Sequence, residues 1–110
     1  MKSGDPVVDS LCQMLSAGAG EDPVVHGIIG KLVERSKVGQ AKYNTTLARE
    51  DLTTADWLNH AQMEALDLLN YLQVLILRPG ADAGLSTLQD LAFGIAAELE
   101  DRLSELKTEN

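Results

Sequence analysis

Apolar residues recur three and four positions apart in four stretches of the chain, the spacing of amphipathic helices rather than of strands. Val7, Val8, Leu11, Met14 and Leu15 form the first, over residues 6–16, ahead of the breaker stretch AGAGEDP. Asp22 followed by Pro23 is a start signal, with Asp as cap and Pro at the first helical position. The helix that follows groups Val24, Val25, Ile28, Ile29, Leu32 and Val33 on one broad face and is expected to run to about Lys37, with Gly39 as its stop. From Gly39 to Leu52 (GQAKYNTTLAREDL) the chain is polar and without period, which predicts an ordered connecting loop of a length that often carries function. Thr53 and Asp56 make an acidic variant of the capping box and open a third helix reaching about Leu77, closed by Pro79 and Gly80. Ser86 and Gln89 read as a second capping box before a last helix in which Leu88, Leu91, Ile95, Leu99, Leu103 and Leu106 repeat.

No segment alternates apolar and polar residues as a strand would, and no repeat or compositional break marks a linker. The pattern predicts an all-α fold, a four-helix-type bundle formed as a single domain over residues 1–110. Residues 65–77 (ALDLLNYLQVLIL) are apolar on nearly every side, the composition of a helix buried all round. So few helices can hardly enclose such a segment, so the bundle is expected to be completed by oligomerisation, as a homodimer or homotetramer.

Charge narrows the partners. A net charge of −8 and a pI near 4.5 argue against binding a nucleic-acid polymer, which needs Lys and Arg to neutralise phosphates. An acidic chain that handles a polyphosphate needs divalent cations to mediate the contact. Cys12 is the single cysteine, so an intramolecular disulfide and a cysteine-based zinc site are excluded, and its expected role is a small buried hydrophobe. MKSGDPVVDS lacks the apolar core of a signal peptide and no apolar run approaches the roughly 18 residues of a membrane span, so a cytoplasmic protein with no membrane partner is expected.

Against this background Glu64 and Asp67 stand out, because they sit at i and i+3 within a strongly apolar helix and so share a face, together with His60 and Tyr71. Acidic groups in apolar surroundings call for a partner or a cation. Glu34, directly after Leu32 and Val33 on the preceding helix, is a third acid that can turn toward a helix seam and converge with them. Hard oxygen donors of this kind suit Mg2+ or Mn2+, with water and substrate phosphates completing the shell.

Glu34 and the run Glu64-Ala65-Leu66-Asp67, set within ERSKVGQAKY and DWLNHAQMEALDLLNYL, resemble a degenerate form of the EExxE and ExxD motifs of MazG-like all-α nucleoside triphosphate pyrophosphohydrolases, in particular their small phage-type members. The resemblance spans about residues 24–77. It implies metal-dependent hydrolysis of nucleoside or deoxynucleoside triphosphates, with purines such as dGTP and dATP as candidates, to a monophosphate and pyrophosphate. Glu34, Glu64 and Asp67 would then hold the metal, and Glu34 or Glu64 would orient or deprotonate the attacking water. Two positions depart from the motif: Arg35 and Val38 stand where acids are expected, so that Glu50 or Asp51 would have to substitute, fewer metals would be bound, or catalysis would be lost.

Around these acids, Lys31, Arg35, Lys37 and Lys42 offer cations for phosphate oxygens, Arg through its fork and Lys as a point charge. Tyr43 and Trp57 are scarce aromatics that either stack on a base or fill the core, and Asn44 either bonds a base or sugar edge or simply makes a turn. In the sequences this chain resembles, Gly is common at the place of Asn44. His60 is a further substrate-binding candidate, beside the alternatives of a transition-metal ligand with Glu64 at i+4 and of a hydrogen-bonded structural residue. Glu98 and Asp101 repeat the Glu-x-x-Asp spacing on the last helix and are assigned to its solvated side. The rival readings are a catalytically silent helical interaction protein and a nucleotide sensor that binds without hydrolysis.

Overall fold

Cap chemistry sets where the first three helices begin. The computed structural model describes residues 2–108, in which four α-helices follow one another: α1 (Pro6–Ala19), α2 (Pro23–Tyr43), α3 (Thr54–Ile76) and α4 (Leu85–Thr108). No strand occurs among the described residues, so the all-α expectation holds. Asp5 and Asp22 each precede a proline and accept the backbone N–H two residues on, from Val7 at 3.0 Å and from Val24 at 2.9 Å. Thr53 and Asp56 close both halves of the expected capping box: Asp56 N–H donates to Thr53 Oγ1 (3.1 Å), and Thr53 N–H donates to Asp56 Oδ2 (2.9 Å).

Three boundaries differ from the sequence reading. α1 continues through Ala17-Gly18-Ala19 and stops at Gly20, whose φ of +56° is a conformation glycine adopts freely. α2 passes straight through Gly39, which remains helical, and ends at Asn44 in the left-handed region (φ +54°, ψ +39°), with Asn44 N–H donating to the Gln40 carbonyl (2.8 Å). Lys42 and Tyr43 therefore occupy the last helical turn instead of a loop. α4 starts just ahead of Ser86, and the expected Ser86–Gln89 box does not form. Gly84 N–H donates to Asp82 Oδ1 (2.8 Å), Ser86 Oγ donates back to the Ala83 carbonyl (3.1 Å), and Gln89 is drawn to another helix.

The chain divides after Asp51 into two compact units, Met1–Asp51 and Leu52–Asn110. In the first, α1 packs on α2 through Val8, Cys12, Ile29 and Val33, all buried, with Leu15, Val25 and Leu32 against them. Cys12 is a free, buried thiol, as its surroundings in the sequence imply. Burying an aliphatic side chain of this size stabilises by about 1.5–3 kcal/mol, so a handful of such residues has to hold the hairpin together.

In the second unit α3 packs on α4 along a seven-residue repeat. The seam on α3 runs Leu58, Gln62, Ala65, Leu69, Leu72, Ile76, and on α4 it runs Leu85, Gln89, Ala92, Ala96, Leu99, Leu103, Leu106, each buried or half-buried. Alternating steps of three and four place knobs on one continuous stripe, and the alanines let the axes approach closely. Two side-chain bridges mark an antiparallel pairing, Gln62 Nε2 to Glu100 Oε2 (2.7 Å) and Gln89 Nε2 to Gln73 Oε1 (2.9 Å). The leucine stripe expected to face inward is displaced: Leu88, Leu91 and Ile95 are exposed, and the small residues Ala92 and Ala96 take the seam. Residues 65–77 are likewise not enclosed within the single chain, since Leu66, Leu68, Tyr71, Val74, Leu75 and Leu77 remain exposed. Among the described residues no helix is long and apolar enough to cross a membrane.

Candidate functional site

At 3.6 residues per turn, His60, Glu64, Asp67 and Tyr71 stand half a turn away from the α3 seam, on the side turned from α4. All four are exposed. Met63 and Leu68, one turn from Asp67 and Glu64, are also exposed, so the two carboxylates stand beside apolar side chains as well as the polar His60 and Asn70. Among the described residues no donor or cation pairs with Glu64 or Asp67. His60 is braced by the half-buried Trp57, whose ring meets it edge-on at a centroid distance of 5.9 Å and an interplanar angle of 60°. Trp57 thus acts neither as a free stacking platform nor as a wholly buried core residue.

On α2, Lys31, Glu34, Arg35 and Lys42 line the side turned away from α1, again at steps of three, four and seven residues. All are exposed. Glu34 does not turn toward the seam, contrary to expectation, because the neighbouring Val33 takes that direction and is buried. Lys37 is exposed as well. Tyr43 is exposed, with Lys42 Nζ 5.3 Å from its ring centroid, a cation–π contact that covers one face and leaves the other open. Glu34 lies in the first unit, and Glu64 and Asp67 in the second. Among the described residues no three His, Cys, Asp or Glu side chains are grouped so as to hold a metal ion.

Asp51, weighed above as a substitute ligand, is already engaged. Arg49 grips it through both Nε and Nη2, each at 2.6 Å, and this hydrogen-bonded fork holds the Asp51 carboxyl down at about 2. Glu50 is exposed beside it. On α4, Glu98 pairs with Arg102 across one turn (3.1 Å) and Asp101 is exposed, the solvated role expected of both.

Asn44 is the only described non-glycine residue with positive φ. Asn is among the few residues other than glycine that tolerate this left-handed geometry, which lets α2 end here.

Sequence reasoning missed the polar cluster at the start of the chain. Ser3 and Asp5 are buried, at 4% and 2% exposure. Ser3 N–H and Oγ both donate to Asp9 Oδ1 (2.7 and 2.8 Å), with the backbone bond the larger cause of a lowered Asp9 pKa. Gln40 Nε2 donates to the Ser3 carbonyl (2.9 Å), and Leu47 N–H donates to Asp5 Oδ2 (2.7 Å). The signal for part of this was present, since the Asp-Pro start read at Asp22–Pro23 occurs identically at Asp5–Pro6. A concavity of about 730 Å³ in the second unit lies away from the acids, between the start of α3 and the end of α4, with Thr53, Asn59, Gln62, Glu100 and Lys107 on its wall. Comparison with family models, curated proteins and solved structures finds no match to this chain.

Proposed function

We propose that this protein is a metal-dependent nucleotide pyrophosphohydrolase of the MazG-like kind, cleaving nucleoside or deoxynucleoside triphosphates, with purine deoxynucleotides such as dGTP and dATP as its substrates, to monophosphate and pyrophosphate. The observation that carries the reading is the α3 face on which Glu64 and Asp67 stand unpaired beside exposed apolar residues. Repulsion and desolvation make such an arrangement unfavourable once the face is covered, unless a cation is bound there.

The donor set fits magnesium or manganese. Mg2+ is commonly held by only one or two protein carboxylates, with water and substrate phosphates filling the remaining positions, and Glu64 and Asp67 at i and i+3 supply two. Glu34 on α2 is the further candidate ligand. A bound cation supplies charge neutralisation at the phosphates and acidifies water. Glu64 or Glu34 orients the attacking water and takes its proton. Lys31, Arg35 and Lys42 bind the phosphate oxygens that carry charge in the transition state. The open face of Tyr43 stacks on the base, Asn44 bonds the sugar or base edge, and His60 is a further substrate-binding group.

Self-association belongs to the same reading. Leu66, Leu68, Tyr71 and Val74 on α3 and Leu88, Leu91, Phe93 and Ile95 on α4 are exposed apolar side chains that a partner subunit would cover. A homodimer or homotetramer covers them, which sedimentation would report directly. One rival is favoured by the acids that Arg35 and Val38 replace: a silent helical interaction protein that keeps the shape without turnover.

The deciding experiment is incubation with each NTP and dNTP plus magnesium or manganese, with products resolved by ion exchange. Monophosphate and pyrophosphate should appear, and chelator, Glu64→Gln and Asp67→Asn should each abolish them. An intact nucleotide pool from a folded oligomer would reject the enzyme in favour of the silent protein.

A further inference from the structure

Two aspartates in this chain do the same local task in different ways. Asp22 caps α2 from an exposed position with one hydrogen bond, to Val24 N–H. Asp5 caps α1 with the equivalent bond to Val7 N–H, yet it is buried, and its second oxygen accepts from Leu47 N–H at 2.7 Å, 42 residues further along the chain. Capping alone does not require burial, as Asp22 demonstrates, and burying a carboxylate is costly unless its oxygens are satisfied. The excess at Asp5 is directed at Leu47.

Leu47 belongs to the segment that joins α2 to α3. Among the described residues the other hydrogen bonds of residues 45–51 stay within the segment: Thr45 Oγ1 to the Thr46 carbonyl, Ala48 N–H to Thr46 Oγ1, Arg49 N–H to the Thr46 carbonyl, and the Arg49–Asp51 fork. Leu47 itself is half exposed, so packing holds it weakly. The segment begins at Asn44, whose left-handed conformation turns the chain out of α2 directly after Lys42 and Tyr43. Gln40, one turn before Asn44, is tied to the Ser3 carbonyl by the same N-terminal stretch.

We infer that Asp5 is a positioning residue: its carboxylate latches Leu47 and thereby fixes the turn at Asn44 and the chain beyond it in the pose that binds the triphosphate ligand. This rests on the pyrophosphohydrolase reading for the identity of the ligand, but not for the latch. Asp5 touches no substrate. It acts by pre-organisation, so its loss is expected in affinity rather than in the chemical step.

Asp5→Asn separates the two tasks. Asn caps a helix about as well as Asp, but its amide offers one acceptor, so the bond to Val7 is kept and a second N–H is set against that of Leu47. In the uncomplexed protein, amide hydrogen exchange at Leu47 should accelerate about tenfold or more while Val8–Cys12 amides stay protected, the consequence of losing one charge-assisted bond. With magnesium and a dNTP, KM should rise about tenfold with kcat within about twofold. Cys12→Ala, which lowers the stability of the same unit through its core and bonds neither Asp5 nor Leu47, should leave both Leu47 exchange and KM near their original values. Should Asp5→Asn fail to fold, Leu47→Pro removes the same bond from the donor side and should raise KM alone. Unchanged Leu47 exchange in Asp5→Asn, or a fall in kcat at constant KM, would overturn the latch. A wild-type protein that turns over no nucleotide, with Leu47 still released by Asp5→Asn, would instead remove the enzyme reading and the ligand assigned to the loop.

Discussion

The two helical hairpins of this protein solve one problem by different means. The first, α1 with α2, has a short apolar seam and fastens its open end with a buried polar cluster, in which Ser3, Asp5, Asp9, Gln40 and Leu47 satisfy one another. The second, α3 with α4, uses a long seven-residue repeat with alanines at its centre, to which Gln62 and Gln89 add exposed side-chain bridges. Directional hydrogen bonds fix the ends of the first hairpin, and the connecting chain with them. Close packing fixes the axes of the second and leaves its outer faces free to carry both the acids and exposed apolar side chains. The comparison teaches that a loop can be positioned from a distance by a single buried carboxylate, whereas a helix face needs only a well-defined seam on its opposite side.

Substitutions can break this contrast, beginning with the strongest. Ile29→Ala should remove about 2–5 kcal/mol from the first unit, because a short seam has few other contacts with which to refill the space. Urea titration followed by circular dichroism would measure it, and a loss below about 1 kcal/mol would mean the polar cluster, not the seam, carries that hairpin. Next in size, Ala92→Leu inserts a branched side chain where 2% of the residue is exposed and should cost about 1–3 kcal/mol by forcing α3 and α4 apart. Neutral behaviour there would show the alanine seam to be looser than its burial implies. Thr53→Ala removes one half of the α3 capping box at an exposed site and should cost about 1 kcal/mol, visible as a lowered thermal midpoint.

Asn44 gives a smaller and opposite effect. Since its φ is +54°, Asn44→Gly should be neutral or stabilising by a few tenths of a kcal/mol, whereas Asn44→Val should destabilise the α2 end by about 1–2 kcal/mol. The smallest expected effect concerns pH. The Asp51 carboxyl is depressed from an ordinary 3.8 to about 2, chiefly by the hydrogen bonds from Arg49. A depressed folded value means the contribution is complete above 3.8 and is lost as pH falls from there through about 2. Both groups are exposed, so the effect on global stability should be slight, and carboxyl NMR is the suitable measurement. An Arg49→Gln variant should return the Asp51 midpoint toward 3.8.

Of the candidate site, the sequence placed His60, Glu64, Asp67 and Tyr71 on one helical face, and the structure keeps them together, since that grouping depends only on helical spacing. Glu34 was less legible. Its direction depends on which neighbour enters the seam, and Val33 does. Asp51 was read as an available acid because nothing local announces that Arg49, two residues before it, folds back to hold it.

The starts of α1, α2 and α3, the all-α class, the Thr53–Asp56 box and the burial of Cys12 follow from the sequence alone, because a cap joins residues two or three apart and a lone thiol among aliphatic neighbours has few alternatives. Tertiary structure decided that α2 continues through Gly39, that Ala92 and Ala96 rather than Leu88, Leu91 and Ile95 meet α3, and that Asp5 reaches Leu47. The last two of these join residues far apart in the chain. A helix that is apolar on several sides offers several equivalent seams, and only the close approach of small residues with an antiparallel partner selects among them.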